Sequence, residues 1–115
     1  MRVELNIFSG RPNPFWELSE EEASELAKRL ARLTPTNHPS RLGRLGYRGF
    51  IISNPTASAG VPMRMSVFDG IIASFEGGNT MYYKDTNNVE YWLLEEARKQ
   101  GHGEILDQTL GNKGS

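Results

Sequence analysis

Val3, Leu5 and Ile7 alternate with Arg2, Glu4 and Asn6, the period of a strand that buries one face. Ser9-Gly10-Arg11-Pro12-Asn13-Pro14 then imposes a turn, because each proline fixes its own φ and drives the preceding residue towards extended geometry. From Ser19 the period changes. Ala23, Leu26, Ala27, Leu30 and Leu33 recur at helical spacing, and Ser19 stands three residues before Glu22, the spacing of a capping box. Glu20, Glu21 and Glu22 lie at the positive end of the helix dipole, and Lys28, Arg29 and Arg32 near its negative end. Pro35 pushes Thr34 out of helical geometry, so a helix is predicted over residues 19–33.

Residues 34–46 read as a loop broken by Pro35, Pro39, Gly43 and Gly46. Tyr47 to Ser53 is apolar and β-prone, and Asn54-Pro55 stops it. Met63–Phe68 and Ile71–Phe75 flank Asp69-Gly70, the pair that supplies the two positive φ angles of a type I′ hairpin turn. Met81 to Lys84 adds a further strand after the turn at Gly77-Gly78-Asn79. Asn87 or Asn88 is placed to cap a helix over 88–100, with Val89, Trp92, Leu93 and Ala97 inside and Gly101 as its stop. Glu90 has the position to extend that cap from Asn87. Ile105 and Leu106 point to a short closing element of unassigned type.

The resulting order is β-α-β-β-β-α. Strands clustered between two helices indicate an α+β fold, with two helices packed on one face of a mainly antiparallel sheet of four to five strands. Residues 1–111 read as a single domain and 112–115 as a polar tail.

Composition narrows the chemistry. At 115 residues, 37% hydrophobic and 23% charged, the chain can build one core without a metal or disulfide staple. The absence of cysteine removes disulfides, thiolate metal sites, iron–sulfur clusters and a cysteine nucleophile. No apolar run approaches the ~20 residues of a membrane span, and no apolar signal-peptide segment follows Arg2. Cytoplasm is the default location, although a mature secreted chain without its leader would read the same.

The net charge of −1 excludes a wholly basic nucleic-acid binder but hides a segregated chain. Between Leu26 and Phe68 there is no Asp or Glu, while Lys28, Arg29, Arg32, Arg41, Arg44, Arg48 and Arg64 supply seven positive charges. Such segregation predicts an anion-binding surface, unless carboxylates from the flanks fold back onto it. Within the stretch, Arg41, Arg44 and Arg48 alternate with Gly43, Gly46 and Gly49, combining guanidinium forks with glycine backbone that can cradle an anion. The spacing fits no nucleotide-binding fingerprint. Arg48-Gly49-Phe50 begins like an RNA-binding signature, but Ile51 and Ile52 replace its small residue and second aromatic, so nucleic acid is disfavoured.

The proline-stiffened loop carrying Arg11, Asn13 and Trp16 can hold a ligand at small ordering cost, or Trp16 can plug the core while Asn13 bonds nearby backbone. His38 and His102 lie in loops outside any ligand spacing. Glu95 and Glu96, adjacent on a helix, point about 100° apart and make no paired carboxylate site. Tyr82 and Tyr83 must face opposite ways, which exposes one of them.

Two functional classes stay open. The first is a small non-enzymatic binding or protein-interaction module whose basic central surface docks an acidic protein or anionic small molecule through Arg11, Asn13, Trp16, His38, Arg41, Arg44 and Arg48. The second is a small enzyme acting on an anionic small molecule, with an arginine clamp and His38 as acid/base. A homo-oligomer pairing its basic middle with its acidic flanks is a third arrangement. Neither a cofactor nor a metal is called for by any of these.

Overall fold

The computed structural model describes residues 1–8, 12–37, 47–56, 61–76 and 78–109. Its strands are β1 (Arg2–Leu5), β2 (Phe15–Glu17), β3 (Thr34–Thr36), β4 (Phe50–Ser53), β5 (Arg64–Phe68), β6 (Ile71–Glu76) and β7 (Asn79–Lys84). The helices are α1 (Glu20–Leu30), α2 (Val89–Lys99) and α3 (Gly103–Thr109). All seven strands form one sheet in the order β2-β1-β4-β5-β6-β7-β3, and every neighbouring pair is antiparallel.

The alternation read from the sequence sets the register. Trp16, Val3, Ile52, Met65 and Ser74 stand opposite one another across the sheet, as do Leu5, Phe50, Val67, Ile72 and Tyr83. The apolar residues of these two rows form one core cluster with Leu26 of α1, Val89, Leu93 and Ala97 of α2, and Leu106 of α3, against which Tyr83 packs. The helices therefore cover the face that carries Val3 and Leu5. Glu4, Ile51, Ser66, Ala73 and Tyr82 form the intervening row on the opposite face.

The α+β class holds, but among the described residues the sheet has seven strands and not four or five, and there are three helices and not two. The extra strands are edges of three residues each. Pro12 and Pro14 made the segment before β2 read as turn alone, yet Leu5 donates its N–H to the Pro14 carbonyl at 2.9 Å and β2 pairs along β1. Pro35 made residues 34–46 read as loop. It occupies the middle of β3, and an outermost strand tolerates the missing N–H. A three-residue edge also offers little template for another chain. The third helix, seven residues long, falls below the length at which apolar periodicity can be recognised.

Local signals decided several boundaries. Ser19 and Glu22 form the expected capping box, with the Glu22 N–H donating to Ser19 Oγ at 3.1 Å and the Ser19 N–H to Glu22 Oε1 at 2.8 Å. Asp69 and Gly70 both take positive φ, as the hairpin turn requires. Strand β4 starts at Phe50 and not Tyr47, because Gly49 has φ +85° and packs so tightly that a Cβ would lie 2.0 Å from the Val67 carbonyl. The helix α2 is not capped by the Asn88 or Asn87 side chain. Asp85 accepts from the Val89 and Glu90 N–H groups at 2.7 and 2.8 Å, while Asn88 sits at φ 58° with no capping bond. Nor does Glu90 complete a cap with Asn87: it accepts from the Gly70 N–H at 3.0 Å and from the Tyr47 hydroxyl.

Candidate functional site

A cleft of about 320 Å³ opens between the C-terminal end of α1 and strands β5, β6 and β7. Leu30, Leu33, Pro62, Met65, Ile72 and Tyr83 line it. Two further polar groups line it: the buried Ser74 and the exposed Arg32 at the mouth. Volume and lining suit a small molecule, since ligand sites combine apolar walls with a few polar groups that fix orientation.

Arg32 is held there by the way α1 ends. The Ala31 N–H donates to the Lys28 carbonyl at 3.3 Å, closing the helix, and Arg32 follows with φ 59°. This left-handed conformation costs an L-residue with a Cβ roughly 1 kcal/mol, and glycine or asparagine is its usual occupant. Asn87 fixes the turn by donating from Nδ2 to the carbonyls of Arg29 at 2.8 Å and Ala31 at 3.3 Å. Arg29 donates from Nη1 to the Asn87 carbonyl at 3.0 Å. Within the described residues no carboxylate forms an ion pair with Arg32.

Of the residues singled out from the sequence, Arg11, His38, Arg41 and Arg44 lie outside the described residues. Asn13, Trp16 and Arg48 are described: Asn13 and Arg48 bond the chain around the end of β1, and Trp16 pairs with Val3. Asn13 Oδ1 accepts from the Ile7 and Phe8 N–H groups at 3.0 and 2.7 Å, and its Nδ2 donates to Glu4 Oε2 at 2.8 Å. Asn13 thereby ties the proline loop to β1. Trp16 is 6% exposed, meets Phe50 edge-on at 6.4 Å, and lies 5.8 Å from the ring of His102. Its indole N–H has no acceptor among the described residues. Arg48 is exposed, and its backbone N–H donates to the Asn6 carbonyl at 2.8 Å.

Arg29 and Arg64, two further cations of the acid-free stretch, occupy separate places. Arg29 bonds Glu25 at 2.7 Å and lies 5.8 Å from the centre of the Trp92 ring. Arg64 stands opposite Ser53, at the far end of the β4–β5 ladder from Arg48. His102 is half-buried against Trp16 and borders a second, more open depression with Phe8, Pro14, Glu104, Ile105 and Gln108. Tyr82 and Tyr83 point to opposite faces as predicted, but both are half-buried.

Sequence reasoning missed the cleft. Arg32 looked like an ordinary helix-end cation because Leu33 continues the apolar spacing of α1 beyond its actual end at Leu30. The available signal was Ser74. In Ile71–Phe75 the alternation that sends Ile72 inward sends Ser74 inward too, and an inward polar residue in an apolar strand marks a possible site.

Among the described residues, no three His, Cys, Asp or Glu side chains converge as a metal site, and no helix is long and apolar enough to cross a membrane. No family model, curated protein or solved structure matches this chain, so a functional reading must stand on the geometry of the site.

Proposed function

We propose that the protein is a small binding module that takes an anionic small molecule with an apolar body into the α1/β5–β7 cleft. The observation that carries this reading is Arg32: a cation free of ion pairs among the described residues, kept in a left-handed conformation at the mouth of an apolar cleft. Backbone strain of this kind persists where the surrounding structure imposes it, and it concentrates at ligand-binding sites. The apolar body of the ligand would lie on Leu30, Leu33, Met65 and Ile72. Its anionic group would meet the guanidinium, whose planar fork matches a carboxylate or phosphate.

Octanoate and its uncharged analogue octanol test the assignment. Titrated into isotope-labelled protein and followed by NMR at Leu33, Ser74 and Tyr83, octanoate should bind about tenfold more tightly, the scale of one partly exposed charge-assisted contact. In Arg32→Ala the two ligands should bind alike. Equal binding by the wild type, or a preference that persists in Arg32→Ala, overturns the proposal.

A further inference from the structure

The antiparallel pair α1 and α2 meets at its other end through carboxyl groups. Glu96 of α2 is 2% exposed; its Oε2 accepts from Lys99 Nζ at 3.2 Å, and its Oε1 has no donor among the described residues. The carboxyl it faces is Glu22 of α1, which is itself engaged by the Ser19 N–H. Two ionised carboxylates cannot hydrogen-bond each other, since both only accept. A proton on Glu96 Oε1 resolves both problems, because it gives the buried oxygen a partner and makes the contact an O–H···O⁻ bond.

We propose that Glu96 and Glu22 form one proton-binding site that joins α1 to α2, with the proton residing on Glu96 Oε1 and donated to the Glu22 carboxylate. The surroundings fit a single shared proton. Among the described residues, Lys99 is the only cation acting on Glu96, and it reaches the other oxygen. Of the charges on α3, Asp107 bonds Arg98 of α2 at 2.9 Å, and Glu104 borders the depression beside His102. Strand β5, packed on α2, contributes Met65 and Val67 to the shared core, neither of them ionisable.

The two titrations move apart accordingly. Burial first, and the hydrogen bond to Glu22 second, hold the Glu96 carboxyl above the usual glutamate value. The hydrogen bond with Glu96 first, and the Ser19 N–H second, hold Glu22 below it. Glu96 thus binds its proton more tightly in the folded chain than in the unfolded one. Its contribution to stability is complete below the unfolded value and is lost as pH rises through the folded value. Glu22 acts in the opposite sense, and its contribution is lost as pH falls through its own lowered value. The junction is tightest near the ordinary carboxylate range and loosens as pH rises above it.

Glu96→Gln tests this, because its amide can donate to Glu22 but cannot titrate. Raising pH from about 5 to about 8 should lower the melting temperature of the wild type relative to Glu96→Gln by a few degrees, a size that follows from one linked proton in a chain this small. Carboxyl-carbon NMR of the unmodified protein gives an independent measurement: Glu96 should titrate above the ordinary range, with a matching inflection at Glu22. Parallel melting profiles for wild type and variant, or titration of Glu96 at an ordinary value, overturn the proposal.

Discussion

The two ends of the α1–α2 pair close by different chemistry. Where α1 stops and α2 starts, donors meet acceptors: Asn87 serves the Arg29 and Ala31 carbonyls, Arg29 serves the Asn87 carbonyl, and Asp85 serves two N–H groups of α2. Glu90 adds a bond to the Gly70 N–H and another to the Tyr47 hydroxyl, fastening the start of α2 to the β5–β6 turn. At the opposite end two carboxyl groups face each other with one lysine to offset them. The first junction needs no proton beyond those its groups ordinarily carry, while the second is complete only with a shared one. One pair of helices thus has an end that fixes geometry, beside the cleft, and an end that responds to pH.

The strongest test of the fixed end is Asp85→Ala. It strips the acceptors from the Val89 and Glu90 N–H groups, and Val89 is fully buried, so water cannot readily replace the lost bond. Caps of this kind contribute about 2 kcal/mol at the upper end of their range, and urea unfolding should show a loss of that order. A loss near zero would mean that the packing of α2 on the sheet, and not its cap, sets where the helix begins.

Asn87→Ala is the milder break. Two carbonyls at the end of α1 lose their donor, but both are near enough to the surface to be rehydrated, so about 1 kcal/mol is expected. Its pH dependence sharpens the contrast between the ends. The Asn87→Ala loss, measured by urea unfolding, should be the same at about pH 5 and about pH 8, because neither the side chain nor its partners titrate there. A loss that changed across that range would mean that the two junctions are energetically linked along the helices.

This division also explains what the sequence revealed. The Ser19/Glu22 cap and the Asp69-Gly70 turn are local devices, complete within four residues, and their types announce them. Edge strands β2 and β3 exist only because β1 and β7 offer free edges, and their prolines signal turn or loop when taken alone. Asp85 was hidden by two asparagines closer to the helix, whose composition fits a cap better than their geometry does. Glu22 and Glu96 lie 74 positions apart in the sequence, and only the antiparallel packing of two helices brings them together. The cleft depends on the same packing. Its components are legible one by one, as an inward serine, a tyrosine and a helix-end arginine, but their convergence is tertiary.

Arg32→Gly carries the smallest expected effect on stability and separates the cleft from the junction beside it. Glycine adopts the left-handed geometry without strain, and the greater freedom it brings to the unfolded chain cancels part of that gain. The net expectation is a protein about 0.5 kcal/mol more stable than the wild type, with the Asn87 bonds to Arg29 and Ala31 retained. If Arg32 occupies this conformation for the sake of a ligand, the same substitution should abolish the preference for octanoate over octanol while unfolding at slightly higher urea. Greater stability with the preference intact would place the anion contact elsewhere in the molecule. Lower stability would show that the arginine side chain itself braces the end of α1, so that the left-handed turn belongs to the junction and not to the cleft.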